Sequence, residues 1–397
     1  MSTHHCFEYS YELSCSTEQH HRAELSEMNY SSISHVKLLP SGRPQTIVKT
    51  CKPTTHVMFL KTHKTASSTI LNILFRFSEK HNLTVALPHN NDVHLGYPQF
   101  FKASFVEEFN TIGRNFSIMC NHLRFKAAEV KRVMPADTFY FSILRHPASL
   151  LESSYVYYKS AAPAFRRSKN VNEFLSSPWH YYNLTERHWN IYAKNHMWFD
   201  FGYDNNAVYD EIYVQSVIQD IEHNFDLILI ADYFDESMIL LKNILCWDLD
   251  DVVYFKLNAR SLDSVQTMSP ESKEKTKEWC ALDWELYKHF NNTFWNTIQE
   301  RMDLKTFYKE VDLLQKRQKE LMEICLLEET VGNKIKDKHM KPFQSGYAKI
   351  MGYMLKEGLD NETLNICDKM AVPELQYTAH MYSWQFPEKK KKSIHVR

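Results

Sequence analysis

The chain has 397 residues, 44% of them hydrophobic, which is enough to bury a sizeable core in one large domain or in a domain with an extension. Its formal net charge of −1 excludes a global basic field that would attract nucleic acid, so any anion site must be local. Only 8 glycines occur, which excludes a flexible, low-complexity chain.

The N-terminal stretch, residues 1–54, is polar, and we expect it to be a poorly ordered lead-in. It does not have the pattern of a signal peptide. No run of about 18 apolar residues occurs, so the sequence predicts no membrane-spanning helix.

The first predicted unit is a strand, a polar loop and a helix. Residues 56–60 are an apolar run typical of a buried strand, and apolar positions recur at helical spacing after Thr69. The loop between them combines two lysines with several hydroxyl side chains, at the start of a helix whose backbone N–H groups favour an anion. An ordinary Ser or Thr helix cap is the alternative. The loop lacks the glycines of a Walker A motif, which disfavours a P-loop kinase.

A second unit follows the same plan. Residues 138–144 predict a strand, Arg145 and His146 form a polar break, and Pro147 suits the first turn of a helix that carries Ser153. An arginine fork and a hydroxyl can grip a second phosphate, although a surface arginine and a helix-face serine would look the same.

Further strands are expected at residues 116–120 and 226–231. Strands that alternate with helices predict an α/β fold, with a parallel sheet and ligands at the carboxyl ends of its strands. Residues 305–329 predict a long amphipathic helix with a solvated face. We expect a mainly helical C-terminal extension over residues 301–380 and a basic tail over residues 381–397.

Cysteines and glycosylation sequons bear on the compartment. The 8 cysteines include no CxxC pair, so a zinc cluster is not expected, and they permit disulfides without defining a pairing. Several sequons favour a secretory compartment. They begin at Asn29, Asn82, Asn115, Asn183, Asn291 and Asn361.

The two anion-binding stretches together resemble the donor-binding motifs of carbohydrate sulfotransferases. Residues 61–70 are similar to their 5′-phosphosulfate loop, and residues 143–155 to their 3′-phosphate motif. Within that group the chain resembles the galactose-3-O-sulfotransferase family, which includes galactosylceramide sulfotransferase. The stretches that favour this branch are residues 120–125, 195–202 and 282–295. His146 departs from the family pattern, which has an aspartate there.

The resemblance implies a sulfotransferase fold, a P-loop-like parallel sheet flanked by helices, over residues 55–300. It implies transfer of a sulfuryl group from 3′-phosphoadenosine 5′-phosphosulfate (PAPS) to the 3-hydroxyl of galactose on a galactosylceramide-like glycolipid or a glycan, with no metal. The implied donor-binding residues are Lys61, Thr62, Lys64, Thr65, Ala66, Ser67, Ser68, Thr69, Arg145 and Ser153.

Sulfuryl transfer by in-line displacement requires a base for the acceptor hydroxyl and a cation for the leaving phosphate. Lys64 aligns with the conserved lysine of the family loop and is the candidate cation. His122 follows the strand at 116–120 and is the candidate base, with a structural histidine as the alternative. We interpret His63 as structural and His94 as a candidate substrate contact.

Aromatic faces for a sugar ring are available at Tyr97, Trp189, Trp198 and Tyr203. Two other functions stay open: a sulfotransferase with another acceptor, such as a glycosaminoglycan 2-hydroxyl, and a non-catalytic nucleotide- or sugar-binding relative. The resemblance also implies the Golgi lumen or membrane, a membrane association through an N-terminal anchor not seen in this sequence, and a homo-oligomer. No nucleic-acid partner is expected.

Overall fold

The computed structural model describes residues 51–111, 113 and 115–389. Most of the expected lead-in, with Cys6, Cys15 and the Asn29 sequon, lies outside the described residues. So does the basic sequence from residue 390 onward.

A four-stranded parallel sheet lies at the centre of the described part of the chain. Its strands are β1 (Val57–Leu60), β2 (Ile118–Met119), β3 (Phe139–Leu144) and β4 (Leu227–Ile230), in the order β2-β1-β3-β4. Every residue of β1 and β4 is buried, because helices cover both faces of a parallel sheet. The predicted parallel α/β sheet flanked by helices is confirmed, and it is consistent with a sulfotransferase fold.

Helices connect and surround these strands. They are α1 (Ser67–Lys80), α2 (Ala127–Val130), α3 (Pro147–Tyr157), α4 (Pro163–Arg166), α5 (Val171–Ser176), α6 (Pro178–Tyr181), α7 (His196–Asp200), α8 (Glu211–Asn224), α9 (Phe234–Leu245), α10 (Leu249–Val252), α11 (Pro270–Trp279), α12 (Ala281–Arg301), α13 (Leu304–Cys325), α14 (Asn361–Ala371) and α15 (Glu374–Gln385). Within residues 51–111, 113 and 115–389, no helix has both the length and the apolar character needed to cross a bilayer.

The C-terminal region differs from the expectation in two places. The helix expected over residues 305–329 ends at Cys325, because the next residues form strand β5 (Leu326–Val331), which pairs antiparallel with β6 (Met351–Leu355). The expected start of the basic tail, residue 381, lies too early in the chain. Helix α15 continues to Gln385, and the Lys389 ammonium lies 3.2 Å from the Glu108 carboxylate.

Helices α14 and α15 pack against α1, directly beside the first predicted loop. The Asn72 amide donates to the Lys369 carbonyl at 2.8 Å, and the Tyr377 hydroxyl donates to the Glu79 carboxylate. The region after residue 300 therefore contributes to the surroundings of the loop after β1.

Two disulfides join distant parts of the described chain, a pairing that the sequence left open. Cys51 is bonded to Cys246 at the end of α9, and Cys325 at the end of α13 is bonded to Cys367 in α14. The thiols of Cys120 and Cys280 are free and buried.

Candidate active site

The two predicted anion-binding units meet at the carboxyl edge of the sheet. Strands β1 and β3 pair in parallel, with Leu60 beside Ser142, so the segments that follow them emerge side by side. The Thr62 hydroxyl donates to the Ile143 carbonyl at 2.5 Å, and the Arg145 guanidinium donates to the Lys64 carbonyl at 3.0 Å. Segments about 80 residues apart in sequence are thus joined by direct hydrogen bonds.

The loop before α1 has a strained backbone, and no side chain caps the helix N-terminus. Lys64 and Ala66 both have left-handed backbone conformations, with φ of 60° and 61°. For residues other than glycine this costs about 1–2 kcal/mol each, and such strain is typical of functional loops. Ala66 is the N-cap and supplies no side-chain hydrogen bond. The alternative of an ordinary Ser or Thr cap is therefore wrong, and the first N–H groups of α1 are left to an anion or to water.

Most hydroxyls of the loop bind protein groups. Thr65 and Ser67 donate to the Thr62 carbonyl at 3.1 and 2.6 Å. The Thr69 hydroxyl accepts from the Leu257 N–H at 3.1 Å. These contacts hold the loop in shape. They leave its backbone N–H groups and its lysines as the main donors toward a ligand.

Four basic side chains lie in or beside this loop: Lys61, Lys64, Arg145 and Arg260. Burial, followed by the charges of Arg260, Arg145 and Lys61, holds the pKa of Lys64 well below its ordinary value. The Lys64 ammonium lies 3.6 Å from the centroid of the Tyr157 ring. Glu374 pairs with Lys61 and Glu152 pairs with Arg260, so the positive charge that an anionic ligand would balance is that of Lys64 and Arg145.

Arg260 is a member of the cluster that sequence reasoning missed, since it belongs to no motif. Its guanidinium pairs with the Glu152 carboxylate at 3.1 Å, and both side chains are largely buried. Glu152 precedes Ser153, which is buried in the second turn of α3. This ion pair fixes the cationic face of the cleft next to α3.

His146 replaces the family's aspartate at the start of α3. Its ring Nδ1 accepts from the Ala148 N–H at 3.3 Å, which is the capping role that an aspartate side chain would have. The backbone N–H of His146 donates to the Asp232 carboxylate at 2.8 Å. The departure therefore preserves the helix start that follows Arg145.

His122, the predicted base, lies beside the loop with a defined tautomer. Its Nδ1–H donates to the Lys61 carbonyl at 2.8 Å, so Nε2 carries the lone pair, and this atom accepts from the Lys61 ammonium at 2.7 Å. Burial and the charges of His63 and Lys61 hold the pKa of His122 well below its ordinary value. The imidazole is therefore neutral at physiological pH, as a base must be.

His63 has a more organised setting than sequence reasoning expected. Its Nδ1 lies 3.0 Å from the Asp200 carboxylate, which also accepts from the His63 backbone N–H at 2.8 Å. A carboxylate on Nδ1 leaves Nε2 as the basic atom, the arrangement used by general bases. The ring stacks on His122 with centroids 3.8 Å apart. His63 is thus a second candidate base, and only the fold reveals it, since Asp200 is 137 positions away.

One cluster near these rings could hold a divalent cation. Ligand atoms of His63, His196 and Asp200 all lie within 4.8 Å of one another, and the Tyr97 hydroxyl lies 3.0 Å from His196 Nε2. No CxxC spacing marks this cluster in the sequence, because its members come together only in the fold. The same distances fit a hydrogen-bonded histidine–carboxylate network.

Glu374, the first residue of α15, is a site component with no sequence signal. Its carboxylate accepts from the Ser68 hydroxyl at 2.6 Å and lies 3.2 Å from the Lys61 ammonium. Burial raises the pKa of Glu374, but Lys61 and Ser68 outweigh it and hold the pKa below its ordinary value. The C-terminal region thus places a carboxylate at the N-terminus of α1.

The aromatic residues near the site differ in part from those expected. Trp198 is fully buried and belongs to the core, whereas Trp189 is 69% exposed. The Tyr97 ring lies 4.5 Å from the His63 ring. Sequence reasoning missed Tyr158 and Tyr192, whose rings stack at 3.8 Å and border the His63 ring.

His94, the predicted substrate contact, lies next to His122. The two residues form a parallel backbone bridge, in which the Leu95 N–H donates to the His122 carbonyl at 2.8 Å. Their rings lie 5.6 Å apart.

Comparison with known proteins identifies the family of the chain. A family model described as galactose-3-O-sulfotransferase matches residues 15–385. The chain is 56% identical to mouse galactose-3-O-sulfotransferase 2 over 347 residues, 86% of this chain and 88% of that protein. It is 52% identical to the human protein of that name, covering 86% of each chain, and 38% identical to human galactosylceramide sulfotransferase, covering 85% and 82%. The resemblance inferred from the two anion-binding motifs is confirmed, and the chain belongs to the galactose-3-O-sulfotransferase family.

Proposed function

We propose that this chain transfers the sulfuryl group of PAPS to the 3-hydroxyl of a galactose residue. The observation that carries the proposal is the junction of the two anion-binding units, in which Arg145 donates to the carbonyl of Lys64 beside an uncapped helix N-terminus. PAPS has two separated anionic groups, a 5′-phosphosulfate and a 3′-phosphate. The loop after β1 acts as a P-loop-like cradle for the first, and Arg145 with Ser153 binds the second.

The predicted donor-binding residues of the loop after β1 divide three tasks among them. Lys61 and Lys64 supply charge, the backbone from Thr65 to Ser68 supplies N–H groups, and the side chains of Thr62, Thr65, Ser67 and Thr69 hold the loop through the contacts described above. Ala66 leaves the N-terminus of α1 open. No metal ion takes part in this proposal.

In the transfer, the acceptor oxygen forms a bond to sulfur while the bond from sulfur to the bridging phosphate oxygen breaks. The Lys64 ammonium stabilises the negative charge that develops on the leaving phosphate. The acceptor proton passes to His122 Nε2 once Lys61 turns its ammonium toward the incoming anion. His63, oriented by Asp200, is the competing base.

The comparisons favour galactose-containing acceptors in general over galactosylceramide in particular. Identity to proteins named galactose-3-O-sulfotransferase 2 is higher than to those named galactosylceramide sulfotransferase. We therefore propose a galactose-terminated glycan or glycolipid, bound near Tyr97 and His94. A glycosaminoglycan acceptor is disfavoured by the net charge of −1, and a non-catalytic role by the presence of Lys64, Arg145, Ser153 and His122.

The Golgi lumen is the proposed compartment, with membrane association and a homo-oligomer carried over from the family resemblance. Two disulfides suit an oxidising lumen. Microscopy of the tagged full chain against Golgi and cytosolic markers tests this, and a purely cytosolic signal would contradict it.

Calorimetric titration tests the donor assignment. We expect adenosine 3′,5′-bisphosphate, the product of transfer, to bind more tightly than ATP, because the site presents two separate anion subsites and its loop has no Walker glycines. Tighter binding of ATP would reject it. The acceptor is then identified with labelled PAPS and a panel of galactosylceramide, lactosylceramide, N-acetyllactosamine and heparan sulfate.

A further inference from the structure

The Glu374 carboxylate occupies a position that an incoming phosphate would favour. Ser68 is the second residue of α1, and its hydroxyl donates to Glu374 Oε2 at 2.6 Å. The same oxygen lies 3.2 Å from the Lys61 ammonium, whose side chain is only 2% exposed. A carboxylate at this point is stabilised by the N-terminal end of the helix dipole, as a phosphate would be.

The backbone that carries Glu374 is anchored, so only its side chain is available to move. Tyr377 and His380, one and two turns further along α15, both contact the Glu79 carboxylate on α1. The Asn72 amide of α1 holds the Lys369 carbonyl before α15. The carboxylate can leave Ser68 by rotation of its side chain without unpacking the helix.

A nucleotide phosphate and Glu374 require the same donors. Ser68 has one hydroxyl proton, and the Lys61 ammonium already divides its contacts between Glu374 and His122. Two anions on these groups repel each other in a largely buried setting, where charge interactions are screened less than at the surface.

We propose that Glu374 is an internal competitor of the phosphosulfate group for Ser68 and Lys61, and that it sets the affinity of the protein for its nucleotide. This inference rests on the proposed function. Glu374 weakens the binding of PAPS and of the bisphosphate product, and it refills the contacts with Ser68 and Lys61 as product leaves. Its displacement also frees the Lys61 ammonium to turn from His122 toward the donor.

The test measures the affinity of adenosine 3′,5′-bisphosphate by calorimetry in Glu374→Gln and Glu374→Ala. The glutamine keeps the shape but removes the charge, and the alanine removes the competing group entirely. We expect both variants to bind about tenfold more tightly than the unmodified protein, the size of one charge-assisted contact. If product release limits turnover, kcat falls in the same variants while the KM for PAPS also falls.

The matched control is Glu362→Gln, which removes one exposed carboxylate from the first turn of α14 and should leave affinity unchanged. Unchanged or weaker nucleotide binding in a folded Glu374 variant would overturn the inference, and either variant suffices if the other does not fold. Absence of bisphosphate binding by the unmodified protein would instead reject the proposed function, so the two failures are distinguishable.

Discussion

The cations around the loop after β1 define the chemistry at the scale of single residues. Lys64 and Arg145 are joined through the Lys64 carbonyl, and Arg260 lies close enough to lower the pKa of Lys64. The sequence predicts Lys64 and Arg145 because each follows a strand at the same sheet edge. It could not predict Arg260 or Glu374, since long-range packing alone brings them to the loop.

Arg145→Ala should weaken the binding of adenosine 3′,5′-bisphosphate by roughly ten- to hundredfold. It removes a charged donor worth about 1.5–3 kcal/mol. Calorimetry on this variant, with exposed Arg187→Ala as the control, measures the effect. An affinity equal to that of the unmodified protein would move the 3′-phosphate subsite away from Arg145.

His122→Ala should reduce turnover by about 10²–10⁴-fold with little change in PAPS affinity, because a general base contacts the acceptor. Lys64→Ala should reduce both, since Lys64 contacts the donor before and during transfer. Single-turnover kinetics with labelled PAPS distinguish the two variants, and the exposed His180→Ala serves as the control.

A large loss of turnover in His63→Ala and in Asp200→Asn, combined with near-normal turnover in His122→Ala, would assign the base to His63.

The pH dependence of turnover follows from the lowered pKa of both histidines. Burial is the largest cause for each, and it disfavours the protonated form. A base with a pKa below the ordinary value of about 6.5 stays neutral to more acidic pH. Turnover should therefore remain constant down to about pH 6.5 and fall only below it. A midpoint of loss at or above pH 6.5 would show that neither buried imidazole is the base.

At the scale of elements, the strand–loop–helix units are well predicted. The runs at 56–60 and 138–144 become β1 and β3, because a buried parallel strand requires a continuous apolar sequence. The end of α13 is not predicted, since the residues that follow it form a strand only by pairing with β6, about 25 positions later. Local periodicity carries no information about that partner.

The Cys325–Cys367 disulfide ties α13 to α14, which leads directly into the helix that carries Glu374. Replacing both cysteines with serine should lower the free energy of unfolding by about 2–4 kcal/mol, because the closed loop spans 42 residues. Denaturant unfolding of the double variant measures this. Unchanged stability would mean that packing alone holds α14 on α1.

At the scale of the whole molecule, the parallel sheet and the family can be predicted from the sequence. The contribution of residues after 300 to the site cannot. The boundary expected at residue 300 separates Lys61 from Glu374, yet their charged groups lie 3.2 Å apart. Helices α14 and α15 pack on α1 through contacts between residues about 300 positions apart. A chain truncated after residue 300 would lose this wall of the candidate site.

The most direct test of the central claim is the position of the transferred label. The full chain is incubated with labelled PAPS and an N-acetyllactosamine acceptor, and the sulfated product is analysed by linkage-resolved mass spectrometry. We predict a sulfate on the 3-hydroxyl of galactose with the unmodified protein, and at least a hundredfold less product with Lys64→Ala, as when one donor to developing charge is removed. Sulfate at another hydroxyl, or equal product from both proteins, would contradict the proposed reaction.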